Sequence, residues 1–457
     1  MEKTLSRGEK LGYGVADVGA SLTFVAVNTW LLYFLINIVR LEPLLAGIIF
    51  VLGRVLDAVL DPFMGVLSDR LKSRLGRKVF IRWGAVPLGI SFALLWLVPD
   101  GGQALKFGLA LLFFCLFSVL YTVVQVPYMA LTPDIARSYD ERTSLTSFRM
   151  GFGTLASMLA FALPPFIILA FSQSNALASS SPLGWLMMGV VFGLVTVVAY
   201  FIMVLTVKEP SNGAVPPKQR GSFLSEYRSA FSIYGFKEIF SLFVVLTVGI
   251  MVLNSILPFY LESGLLIQAE AQPLVLGTLF GVAILSFPLW NFVAGRFGKR
   301  SSLIAGLVIL SSSVLLLTLF SPAGRVSAFL LLMSACAGVG FSAVMLFPWA
   351  MLPDVVEFDE LEHRQRREGL VYALFTFGQK LAGSIGVFSN AIVAAVFGYQ
   401  QGVVAQSTTT VTALQMMAGP VSAGIFLLAI VFVLRFPITK QQHQKAQDKL
   451  FSNSQKE

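Results

Sequence analysis

The chain has 457 residues, of which 56% are hydrophobic and 12% charged, with a mean hydropathy of +0.79. That composition excludes a soluble globular protein of this size and a disordered chain, and apolar runs long enough to cross a bilayer make it a membrane protein. The net charge of +9 is explained by topology and anionic headgroups, so membrane lipids and not nucleic acid are the expected macroscopic partner.

Breaks at charged and Pro/Gly-rich segments leave twelve apolar spans, at roughly 11–38, 44–67, 79–98, 107–132, 143–172, 184–207, 238–261, 273–295, 301–320, 326–352, 369–397 and 411–435. Helices are expected because a lone strand or loop cannot satisfy its backbone in lipid. The fold class is an all-α membrane protein, with twelve transmembrane helices in two pseudo-symmetric six-helix bundles. The polar, Pro/Gly-rich break between spans six and seven sets the domains: a first bundle over 1–207, a linker over 208–235, a second bundle over 236–436 and a tail over 437–457. The first apolar run is too long for a signal-peptide core and lacks a small-residue cleavage site, so no cleavable leader is expected.

Lys and Arg set the orientation. Gaps after even-numbered spans hold Arg70, Lys72, Arg74, Arg77 and Lys78, then Arg137 and Arg142, then Lys208, Lys218, Arg220 and Arg228, then Arg296, Lys299 and Arg300, then Arg364, Arg366 and Arg367. The opposite gaps hold only Arg40, Lys106 and Arg325. Both termini, carrying Lys3, Arg7 and Lys10 at one end and Lys440, Lys445 and Lys449 at the other, are therefore expected in the cytoplasm.

The two halves echo each other. Pro127 to Ile135, which includes Asp134, parallels Pro348 to Val355, which includes Asp354, and Gly76-Arg77-Lys78 parallels Gly298-Lys299-Arg300. Both echoes are separated by about 220 residues, as two parallel six-helix repeats require. Such repeats place a substrate site near mid-membrane, alternately open to each side.

Asp57 and Asp61 lie four residues apart in an apolar run, one turn after Arg54. Each such carboxylate costs about 2.5 to 3.5 kcal/mol at mid-bilayer on insertion scales, so the pair has to be used or neutralised. Residues at i and i+4 share a helix face, and Pro62 loosens the backbone beside them. Two carboxylates can hold Na+ or Li+ through hard oxygen ligands, can share a proton, or can simply pair with Arg54. Thr122 and Gln125 in span four are neutral candidate ligands. Arg149 in span five and Lys380 in span eleven are the other deep cations, able to balance the carboxylates or to bind a polar substrate. Asp17 lies within about two turns of the cytoplasmic end and can also reach water. Aromatic and amide side chains expected to line the cavity are Tyr121, Tyr128, Asn254, Trp349 and Tyr372.

The segment from Gly65 to Lys78 puts Asp69 beside Arg70, Arg77 and Lys78. An acid at a helix end among cations can grip a neighbouring helix in one state and release it in another. Cys115 and Cys336 fall in mid-span and read as packing residues. The histidines are His363, in a loop, and His443, in the tail, and no phosphate-binding P-loop occurs, so neither an intramembrane enzyme nor an ATP-driven pump is expected.

The run Arg54-Val-Leu-Asp57-Ala-Val-Leu-Asp61-Pro62 resembles the helix-two signature RxxDAxxDP of the glycoside-pentoside-hexuronide:cation symporters, within the major facilitator superfamily. The start at Tyr13 to Asp17, the loop with Lys72-Ser73-Arg74 before Gly76-Arg77-Lys78, and the stretch from Pro353 to Gly369 are similar to that family too. The resemblance implies cation-coupled import of a sugar, glycoside or related polar solute, with no cofactor beyond the coupling Na+ or H+. It implies a monomer in a bacterial inner membrane, with Asp57 and Asp61 as the Na+ ligands of a sodium-coupled member. Where the sugar-carrying members use two carboxylates and an arginine, this chain has Ser21, Gln125 and Arg149. Losing two acidic hydroxyl acceptors frees Arg149 and Lys380 for an anionic group. Vertebrate lysophospholipid symporters also resemble the chain at helix two and at Met351 to Val355, so a lysolipid is the alternative solute.

Overall fold

The computed structural model describes residues 5–136, 139–172, 176–209, 231–363, 368–438 and 442. Lys3, Arg137, most of the 208–235 linker with Lys218, Arg220 and Arg228, the arginines at 364, 366 and 367, and the tail residues Lys440, His443, Lys445 and Lys449 lie outside them.

The described residues form helices and turns, with no strand among them. Helix α1 runs Arg7–Asn37, α2 Pro43–Leu75, α3 Lys78–Leu94, α4 Gln103–Ile135, α5 Tyr139–Ala170 and α6 Pro182–Thr206. After the linker come α7 Phe236–Gly264, α8 Gln272–Phe297, α9 Lys299–Phe320, α10 Ala328–His363, α11 Glu368–Val396 and α12 Thr408–Arg435. Eleven of these are long and apolar enough to cross a membrane, and α3, at 17 residues, makes the twelfth helix.

Local sequence explains the ends. Ser6 and Glu9 form a capping box that starts α1, and Pro43 opens α2, where its missing N–H is harmless. Gly76, at φ +73°, stops α2 in a conformation that a side chain would strain. Several helices outrun their apolar spans: α2 continues to Leu75, α4 to Ile135 and α10 to His363. The segment containing Asp69, Arg70 and Lys72, read from sequence as loop, is therefore helix. Hydropathy marks bilayer thickness, whereas a helix continues into water as long as its propensities and end charges allow, here with Lys72 and Arg74 in the last turn of α2.

Packing divides the chain into two compact units: one spans Met1–Pro217 with Leu257–Gly277 and Val387–Val411, the other Lys218–Ile256, Thr278–Gly386 and Thr412–Glu457. The units thus do not coincide with the two sequence halves, because the α7–α8 and α11–α12 turns pack with the first-half helices. Within the first unit α1 lies against α5 and α6, α3 against α4 and α6, and α2 against α4. Gly89 and Gly193 meet where α3 crosses α6, so closely that a Cβ on either would enter the other's backbone, the small-residue contact that lets membrane helices approach. In the second unit α9 packs on α10 and α12.

Candidate cation and substrate site

Helix α2 is two-faced. Val55, Val59 and Phe63 are 61%, 67% and 62% exposed, an apolar stripe of the composition lipid requires. Asp57, two residues from that stripe and so on the other side of the helix, is 4% exposed. Burial among apolar walls obliges this carboxylate to find partners. Arg54 supplies one, its Nη1 donating to Asp57 Oδ2 at 3.0 Å, and the Arg54 Nη2 donates to Asn28 Oδ1 at 3.2 Å. The guanidinium also lies 5.7 Å from the Phe24 ring centre. Asn28 sits in a π-helical turn of α1, Val27–Leu31, a local distortion that often marks functional positions.

A small cavity opens beside this pair, lined by Asn28, Arg54, Asp57, Ser118 and Tyr121 between the rings of Phe24, Phe114 and Phe117. Asp61 is one turn further along α2, and its Oδ1 accepts a 2.8 Å hydrogen bond from Thr122 Oγ1 on α4. Tyr121 lines the same cavity as Arg54 and Asp57. Gln125, one turn below Tyr121, accepts at Oε1 from the Tyr200 hydroxyl at 2.9 Å.

The donors are hard oxygens. Among the described residues no group of three or more His, Cys, Asp or Glu could hold a metal ion. Two carboxylates, a hydroxyl and an amide suit a monovalent ion or a proton, and do not resemble a resident divalent site.

Asp17, Ser21 and Arg149 belong to the same unit. Ser21 Oγ lies 3.4 Å from Asp17 Oδ2, Arg149 interacts electrostatically with Asp17, and Arg149 also touches Met129 Sδ at 2.9 Å. Tyr128 is fully buried. Its hydroxyl donates to Tyr13 O at 2.9 Å, the Tyr13 hydroxyl donates to Tyr128 O at 3.0 Å, and the two rings stack at 4.7 Å. It staples α1 to α4 and presents no free surface to a solute.

Asn254, Trp349, Tyr372 and Lys380 belong to the second unit. Asn254 is buried, and Trp349 stacks on Tyr372 at 6.4 Å and 27° while meeting Phe243 edge-on at 5.2 Å, a flat aromatic platform.

The charged helix ends form parallel clusters. In the first unit Asp134 pairs with Lys72 at 2.6 Å and with Arg77 at 3.0 Å, and Arg77 also reaches Asp69 at 2.5 Å. In the second Lys299 pairs with Asp354 at 2.6 Å. Arg70 is exposed, and Lys78 Nζ donates to Val207 O at 2.5 Å.

Sequence reasoning missed Asn28, Tyr200, Gly153 and Glu209. A Cβ at Gly153 would collide with the Asp17 carboxylate and the Ser21 hydroxyl, so glycine there lets α5 close on them. Glu209 accepts from the backbone N–H of Arg77 at 2.6 Å and of Lys78 at 3.1 Å, capping α3. A lone amide in an apolar run was the available signal for Asn28.

Comparison with known proteins agrees with this architecture. A family model described as MFS/sugar transport protein matches residues 12–440. The sodium-dependent lysophosphatidylcholine symporter 1-A of Danio rerio is 26% identical, over 97% of this chain and 88% of its own length. The isoprimeverose transporter of Lactiplantibacillus pentosus is 23% identical, over 93% and 88%. The crystal structure of a bacterial homologue of the human lysosomal transporter Spinster, in an inward-facing unoccupied conformation, superimposes with a TM-score of 0.68 at 14% identity, covering 95% of this chain and all of that one. The chain belongs to the MFS/sugar transport family of the major facilitator superfamily, and is a multi-pass membrane transporter and not an enzyme.

Proposed function

We propose that this transporter is a cation-coupled symporter that imports a sugar, glycoside or related polar organic solute, with Asp57 and Asp61 as the coupling carboxylates. The observation that carries the reading is the buried Asp57 held by an internal cation, Arg54, at 3.0 Å. A carboxylate already neutralised by a tethered guanidinium can exchange that partner for an incoming ion without passing through an unpaired buried charge.

The sequence of events follows from the residues. Without a coupling ion, Arg54 bridges Asp57 and Asn28, and Thr122 donates to Asp61. An arriving Na+ takes oxygens from both carboxylates and turns the Thr122 hydroxyl from donor to ligand. Arg54 then falls back on Asn28 and the Phe24 ring. A proton achieves the same neutralisation by occupying one of the carboxylates. Sodium is the favoured ion, because the relative from Danio rerio is sodium-dependent by name and the available ligands are hard oxygens. Within the first unit, solute contacts come from Asp17, Ser21 and Arg149.

The Lys/Arg-rich junctions and both termini face the cytoplasm of a plasma membrane, and the protein works as a monomer. The second reading, a lysophospholipid, is favoured by the same Danio rerio relative and by a guanidinium at Arg149 suited to a phosphate. Counterflow in proteoliposomes with and without Na+ separates the two. Na+-dependent exchange of labelled glycoside supports the first reading, exchange of labelled lysophosphatidylcholine alone the second, and cation-independent exchange of either contradicts coupling.

A further inference from the structure

A second buried carboxylate plays no part in the events above. Glu262 is 2% exposed and lies in a π-helical turn, Tyr260–Gly264, that ends α7. Its Oε2 accepts from the Tyr33 hydroxyl on α1, and its Oε1 accepts from the backbone N–H of Ala178, in the α5–α6 turn, at 3.1 Å. Around it the apolar seal is aromatic: Tyr33 packs on Phe259 at 5.0 Å and stacks on Trp185 at 6.0 Å, and Phe259 meets Tyr399 edge-on at 5.2 Å. A neighbouring set of hydrogen bonds joins the α1 end to the α11–α12 turn, with Asn37 Oδ1 accepting from the Tyr399 hydroxyl and from Gly402 N, both at 3.1 Å.

Four turns therefore converge, following α1, α5, α7 and α11. Because successive helices cross in opposite directions, turns after odd-numbered helices share one membrane side, the side poor in Lys and Arg. Leu257–Gly277 and Val387–Val411 are second-half segments that pack within the first unit. Opening that end of the first unit requires both segments to leave the first-half helices. An aromatic seal alone slides easily, whereas a buried carboxylate with two named donors has a single low-energy register.

We propose that Glu262 is the latch of the non-cytoplasmic gate: its carboxylate, gripped by Tyr33 and the Ala178 amide, holds the α7 end against α1 and the α5–α6 turn, and release of that grip opens the transporter to the outside. The π turn is part of the device, since the extra residue it inserts rotates Glu262 inward at a helix end. Glu262 is a positioning residue that touches neither the coupling ion nor the solute.

The test uses the full-length protein in proteoliposomes without solute or coupling ion, so its outcome is independent of the coupling and substrate readings. Spin labels at Leu105 and Val403 report the Lys/Arg-poor side, and labels at Leu75 and Phe297 report the opposite side, all four positions being exposed. Glu262→Ala and Tyr33→Phe each remove one partner of a buried hydrogen bond, and should shift the ratio of outward-open to outward-closed protein about tenfold. The expected signature is reciprocal: the Leu105–Val403 distance distribution lengthens while the Leu75–Phe297 distribution shortens. Glu262→Gln, of nearly the same shape, keeps a neutral acceptor and should give an intermediate shift, which guards against an Ala variant that fails to fold. Unchanged distributions in Tyr33→Phe and Glu262→Gln overturn the proposal. So does lengthening on the first side without shortening on the second, which is local fraying and not gating.

Discussion

Removing the Thr122 hydroxyl tests the cation site at a single atom. Thr122→Val keeps the β-branched shape on α4 and deletes the donor that lies 2.8 Å from Asp61 Oδ1. Hydrogen bonds to charged groups are worth about 1.5–3 kcal/mol, and each 1.4 kcal/mol is a factor of about ten. For Na+, the ion-bound state loses an oxygen ligand, so the Na+ concentration for half-maximal uptake should rise about tenfold or more. The assay is solute uptake in proteoliposomes, titrated with Na+ at fixed pH. A midpoint that stays put, with uptake intact, would refute the reasoning and return Thr122 to packing.

Three further perturbations address other parts of the account. Arg54→Met leaves Asp57 buried without its guanidinium partner and should cost about 3–5 kcal/mol in ion-free protein, with part restored by saturating coupling ion; equal melting-temperature losses with and without the ion would contradict the exchange of Arg54 for a cation. Arg149→Ala should lower solute affinity in calorimetry, and unchanged binding would leave Arg149 a structural partner of Asp17. Asp134→Asn weakens the carboxylate shared by Lys72 and Arg77 and should change maximal uptake by about tenfold at an unaltered half-saturating cation concentration; a change confined to cation affinity would remove these charges from gating.

Much of the architecture was legible because lipid imposes a coarse rule: apolar runs long enough to span, separated by polar breaks. The repeat was expected because the same acid and base recur at helix ends, and Asp134 and Asp354 each hold an ion pair there. Asp57 and Asp61 stood out because charge in an apolar run is costly. Asn28, which accepts from Arg54, and Tyr200, which donates to Gln125, did not: they are single polar residues with no spacing signal, and the direction of the Tyr200 hydroxyl depends on how α4 and α6 pack. The helical extension of α2 past Leu67 was hidden because hydropathy reports thickness and not helix length. The π turns at Asn28 and Glu262 leave no periodic trace at all, since one inserted residue in a long apolar helix does not disturb its composition.

The most direct test replaces each coupling carboxylate by its amide. Asp57→Asn and Asp61→Asn keep shape and most hydrogen bonds while removing charge, and Asp57→Asn also leaves Arg54 without its ion pair. Cation-driven solute accumulation should vanish in both variants while insertion into the membrane is retained. Accumulation driven undiminished by Na+ and by a proton gradient in both would contradict the central claim.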